Sequence, residues 1–334
     1  YIKNNASSFV HKRVSTMIYY LFPRASIFIN TSCEVLYSDS LPAITFSNSL
    51  CKYKRELMLY AIRTIPDWKQ ICTNNHVYSY LNEMISVKRN NTFFELLEIF
   101  HILDISFTHI SEMQCLHFFK DTFSFIEYSR SKFKNDKYFI FNKPFSVEDF
   151  PSIRTPLFNI IFCQAFEYDE YHNAINIILQ SCISICTLQK SGIMVIKCGD
   201  LFQSLSLQVL MFISFFFEKT FFIKPSANVS TFSEKYIVCT NFIYNGIGDK
   251  MYNMLYNLYI SVLQCPSNKF VTQILNNNIP LFMVHKMEEI NSIFGQTQLE
   301  CMHNLISEVE NNSNTEIDFG RPCKLWCQKF NMPF

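Results

Sequence analysis

The chain has 334 residues, enough for one large domain or two small ones, so it needs no disulfide or metal staple to fold. Hydrophobic residues make up 49% and charged residues 17%, which excludes a disordered chain. With 29 Lys+Arg against 28 Asp+Glu the net charge is +1, so bulk charge points to neither nucleic acid nor an acidic partner.

Phe (35) and Tyr (17) are abundant, whereas Gly occurs six times and never before Gly192. The 13 cysteines are odd in number and follow no regular spacing, so they read as reduced thiols, many buried as small apolar groups. The most apolar run, Leu205 to Phe217, contains Gln208 and falls short of the roughly 18 residues of a membrane span. A soluble intracellular protein of nucleus or cytoplasm, without membrane contact, is expected.

Phe9 to Phe22 carries apolar residues near helical spacing (Phe9, Val14, Ile18, Leu21) and stops at Pro23, which predicts a helix. Ser26 to Asn30 predicts a short buried strand. Residues 52–130 read as a helical insertion without a clean strand. His101, His109, Cys115 and His117 fall inside it, but their spacings match no standard zinc site, and an amphipathic helix pair is expected with no metal. Tyr138 to Phe141 is a strand candidate closed by Asn142-Lys143-Pro144.

The pattern sharpens from Phe158. Buried strands are predicted at Phe158–Cys163, Gly192–Lys197, Thr220–Ile223 and Glu234–Cys239, with helices at Tyr171–Leu188 and Leu205–Glu218. Short apolar strands alternating with helices indicate βαβ units and a parallel sheet covered on both faces. Only a loop separates the last two strands, so an antiparallel hairpin should close the series. Residues 251–334 read as a helical C-terminal extension to a domain spanning 1–250.

Two stretches carry a specific resemblance. Gly192-Ile193-Met194-Val195-Ile196-Lys197-Cys198-Gly199-Asp200-Leu201-Phe202 is similar to the strand bearing the second catalytic Lys of FtsJ-like RNA 2′-O-ribose methyltransferases. Lys224-Pro225-Ser226 followed by Ser233-Glu234-Lys235-Tyr236-Ile237-Val238 resembles the Lys-Pro and Ser-Glu-x-Tyr-x-Val signature of the cap-methylating branch. The tail Leu325 to Pro333 is similar to the end of those members. About fifty residues carry the match, and the rest agrees in the order of elements alone.

The resemblance implies a Rossmann-like α/β methyltransferase fold: a mostly parallel sheet with an antiparallel last strand, plus the helical insertion and extension. It implies S-adenosylmethionine as cofactor and RNA, capped mRNA or rRNA, as partner, with a protein partner in a capping or RNA-processing complex. A ribose hydroxyl is a poor nucleophile at neutral pH, and a Lys of depressed pKa can take up its proton. In the family's Lys-Asp-Lys-Glu tetrad the second Lys matches Lys197, the Glu matches Glu234, and the first Lys falls on Lys12. By itself Lys197 also fits a strand-terminal Lys reaching out to solvent, so Lys197→Ala is expected to leave stability nearly unchanged.

The chain departs from the family at several points. Gln164 stands at the tetrad's Asp, and Val229 stands at the signature's Arg. The glycine-rich turn that lets backbone approach the cofactor is matched by residues 30–38, including Asn30, Ser32 and Cys33, without a glycine. Asn142-Lys143 replaces a Gly-Asp. Two readings follow: a pseudo-methyltransferase that binds RNA or braces a partner and holds no cofactor, or an active cap 2′-O-ribose methyltransferase using Lys12, Lys197 and Glu234.

Overall fold

The computed structural model describes residues 17–25, 33–44, 48–85, 89–105, 112–118, 123–132, 136–141, 145–148, 150, 157–165, 169–311 and 319–333. The strands are β1 (Ile18–Phe22), β2 (Cys33–Ser38), β3 (Met113–Phe118), β4 (Asp136–Phe141), β5 (Phe158–Gln164), β6 (Leu188–Cys198), β7 (Phe217–Lys224), β8 (Lys235–Phe242) and β9 (Phe270–Leu275). Seven of them form one mixed sheet in the order β1-β7-β8-β6-β5-β3-β4. β4, β3, β5 and β6 run parallel, and β8 inserts antiparallel between β6 and β7. The protein is an α/β fold with a mostly parallel sheet.

Burial on both faces explains the apolar strand runs. Along β6, Ile193 and Val195 join the core beneath helix Asn91–Ile102, while Met194 and Ile196 join the core beneath helices Glu170–Thr187 and Ser204–Ser214. β5 and β8 split in the same way, Ile160 from Ile161 and Val238 from Ile237. Strand side chains alternate faces, so a sheet covered twice needs apolar residues at every position.

Three expectations are corrected. The helix at Phe9–Phe22 is not formed where it can be seen: residues 18–22 are an edge strand pairing antiparallel with β7, and residues 9–16 lie outside the described residues. Its inward Ile18, Tyr20 and Phe22 alternate with Tyr19 and Leu21, which are 55% and 51% exposed, a period of two. Within the expected insertion, β3 lies between β4 and β5, inside the sheet. The expected C-terminal extension includes β9, which pairs with β2 in a separate two-stranded sheet, and its helix Asp249–Leu263 shares the main core through Leu255, Leu258 and Tyr259. The strand predicted at 26–30 lies outside the described residues.

Gly192 marks where β6 meets β5, at a shift in their register. A Cβ built there would stand 2.7 Å from the Gln189 carbonyl oxygen and 2.7 Å from Leu188. Gly192→Ala should therefore lower the unfolding free energy by about 1–3 kcal/mol, the usual cost of overpacking, in urea titrations of the two proteins.

Candidate functional site

Helix Asn91–Ile102 starts from Asn90, whose side chain accepts the Phe93 N–H at 3.0 Å. Its stretch Phe93–Phe100 is apolar except for Glu95 and Glu98, three residues apart and buried. Glu95 faces the sheet, where its Oε2 lies 3.5 Å from Lys197 Nζ and accepts the Tyr236 hydroxyl. Its Oε1 accepts Asn228 Nδ2 at 2.9 Å. On the other side Glu234 Oε2 lies 2.8 Å from the same ammonium. Lys197, 8% exposed, is thus held between two carboxylates. Burial alone would lower its pKa, but Glu95 and Glu234 outweigh it and hold the ammonium above its ordinary value.

Glu98, one turn on, accepts Ser226 N and Oγ at 2.6 Å each, Ala227 N at 3.0 Å and Trp326 Nε1 at 2.5 Å. Burial raises its pKa against those donors. It ties the loop after β7 and the C-terminal helix Gly320–Lys329 to the same helix.

A second cluster adjoins the first through Asn228. Lys224 Nζ donates to Asn228 Oδ1 and to the carbonyls of Phe232 and Glu234, all at 2.8 Å. Burial, then the neighbouring Lys235, pushes the Lys224 pKa down to about 7. Asp200 pairs with Lys54 and lies 3.9 Å from Lys235. Burial opposes its ionisation, yet the two ammonium groups hold its pKa below the ordinary value.

In open α/β sheets a ligand crevice lies at the carboxyl ends of the strands, where the strand order reverses. Here the reversal falls between β3 and β5. Phe118 and Phe141 end β3 and β4 with ring centroids 5.6 Å apart, and Phe145 stacks on Phe141 at 5.5 Å. Phe150 packs beside them against Tyr252, Tyr256 and Tyr259. Aromatic side chains occupy this edge of the sheet.

Of the residues matched to the tetrad, the fold joins Lys197 and Glu234, and Gln164 sits level with Lys197 on the neighbouring parallel strand. Lys12, Asn30 and Ser32 lie outside the described residues. Cys33 opens β2 in the two-stranded sheet, opposite Leu275, and not at the end of a parallel strand. The sequence after the reversal strand, Phe119-Lys120-Asp121-Thr122, also lacks glycine and lies outside the described residues. Cys115 and His117 lie on β3, where His117 is buried and stacked on Phe162 at 5.0 Å, so the expected helix pair does not form there. Among the described residues no three His, Cys, Asp or Glu side chains come together as metal ligands.

Glu95 is the residue that sequence reasoning missed. Its signal was the Glu95-x-x-Glu98 spacing in the otherwise apolar stretch Phe93–Phe100. No protein-family model matches the chain, and no curated protein sequence is significantly similar to it. Among the described residues, no helix is long and apolar enough to cross a membrane.

Because Lys197 is buried and doubly paired, Lys197→Ala leaves two carboxylates facing each other without a cation. The expected neutrality to this change is corrected: it should cost about 3–5 kcal/mol in urea unfolding. A second outcome concerns pH. Between about pH 7 and the ordinary Lys value of about 10.4, unfolded Lys224 binds a proton that the folded group has released, so its contribution to stability rises with pH. From pH 7 to pH 9 the wild type should gain on the order of 2 kcal/mol over Lys224→Gln in parallel denaturation curves.

Proposed function

We propose that the chain is a degenerate relative of the FtsJ-like RNA 2′-O-ribose methyltransferases, a Rossmann-like scaffold that associates with RNA without transferring a methyl group. The observation that carries this reading is the Glu95–Lys197–Glu234 arrangement. A Lys that accepts the proton of a ribose hydroxyl must be available as the free amine near neutral pH. Two carboxylates within 3.5 Å hold Lys197 in the opposite state, as an ammonium. A second ammonium, as from the tetrad's other Lys, would reverse that balance, but the charged groups that act most strongly on Lys197 among the described residues are the two carboxylates.

The sheet supports the kinship, since β8 lies antiparallel between β6 and β7 at the end of a parallel series, as the resemblance implies. The aromatic rings at the ends of β3 and β4 support the loss of the methyl donor, because they put large apolar side chains at the carboxyl end of the reversal strand, beside the crevice. RNA association rests on the resemblance of residues 192–239 to the cap-methylating branch.

Isothermal calorimetry with S-adenosylmethionine should show no binding heat, and tritiated-methyl assays on capped RNA should show no incorporation. Binding or transfer would return Lys197 to a catalytic role and make the chain an active cap 2′-O-ribose methyltransferase. RNA retention is read separately, in a gel shift with capped and uncapped oligonucleotides.

A further inference from the structure

Three lysines converge beside the Lys197 site, which Lys224 alone of them meets, through the Glu234 carbonyl and Asn228. Lys54 comes from helix Asn48–Thr64, Lys224 ends β7 and Lys235 opens β8. All three are buried and line one small cavity, closed on the far side by Asn291 and Gln298 of helix Leu281–Glu310. Asp200 is the one carboxylate among the lining residues. Lys54 and Lys235 against Asp200 leave one positive charge at the cavity, and a second whenever Lys224, with its pKa of about 7, holds its proton.

Their donors are unevenly used. Lys224 spends all three N–H groups on acceptors of its own loop. Lys235, 4% exposed, reaches the Ser233 carbonyl at 3.2 Å, and Asp200 lies beyond hydrogen-bond distance at 3.9 Å. Two of its N–H directions therefore meet no acceptor among the described residues. A buried ammonium in that state is costly unless a polar group enters from outside. The cavity, about 10 Å³, holds one oxygen-sized atom. Water would fill the donors but leave the charge; an anionic oxygen answers both.

We infer that Lys54, Lys224 and Lys235 form a phosphate site, taking one non-bridging oxygen into the cavity while the rest of the group stays at its mouth. Near neutral pH a phosphate carries about −1.5 to −2, which answers the surplus and favours the protonated form of Lys224. Asp200 repels it and keeps the affinity modest. The site does not depend on whether the chain transfers methyl groups.

The test is thermal unfolding of the full chain in sodium phosphate against sodium chloride at matched ionic strength. A saturable rise in Tm with phosphate is expected. It should weaken by about tenfold or more in apparent affinity in Lys54→Met and Lys235→Met, as for loss of a hydrogen bond to a charged group. The exposed Lys52→Met on the same helix should leave it unchanged. Should a buried variant fail to fold, ¹H–¹⁵N spectra of the wild-type lysine ammonium groups give the same answer, with phosphate moving Lys54 and Lys235 but not Lys52.

No phosphate effect beyond chloride means a cavity that holds only water, and overturns the site. An effect that survives both variants places binding elsewhere and overturns it equally. A single-stranded RNA that displaces phosphate identifies the backbone as the source. Phosphate binding that RNA leaves untouched makes the source a free phosphate compound; the site then stands while the RNA-associated reading falls.

Discussion

Burying a charge is tolerated only when it is paired and hydrogen-bonded, and much of this molecule is arranged around one such demand. Lys197 emerges from the sheet beneath helix Asn91–Ile102 and meets Glu95 above and Glu234 beside it. Two carboxylates on one ammonium leave a negative excess, which Tyr236 and Asn228 answer by donating to Glu95. The helix, β6, β8 and the loop after β7 must therefore keep one mutual position. Glu98 extends the constraint to Trp326 and so to the last helix.

The same arrangement sets the chemistry. A lysine poised to lose a proton needs burial or a neighbouring cation to prevail. Lys224 has both, with Lys235 beside it, and its pKa falls to about 7. It is nevertheless walled in by three acceptors of its own loop. Lys197 has the opposite surroundings. Lys197, between its two carboxylates, is held charged, and the lysine with the depressed pKa is engaged elsewhere.

Sheet order points to the crevice between β3 and β5, and aromatic residues pack beside it at the ends of β3 and its other neighbour β4. Phe118, Phe141 and Phe145 contribute large apolar area at little entropic cost, and Phe150 with Tyr252, Tyr256 and Tyr259 continues the packing to helix Asp249–Leu263. The abundance of Phe finds a physical use here, in joining the C-terminal helices to the sheet as one core.

Strands β5 to β8 were legible because sheets covered on both faces produce unbroken apolar runs such as Ile160-Ile161-Phe162-Cys163, with Gly192 and Pro225 as punctuation. β3 was not, since Gln114 and His117 interrupt its run, and nothing local reveals that a histidine will be buried against Phe162. β1 was misread because Ile18 and Leu21 fit a three-residue spacing, while the free edge of β7 decided the matter. Lys197 and Glu234 were found together from local motif alone, as adjacent strands allow. Which acid faces them from 102 positions away in the chain was not visible there. Strand pattern is a property of neighbouring residues, whereas the charge state of Lys197 belongs to a contact that exists only once helix and sheet have packed.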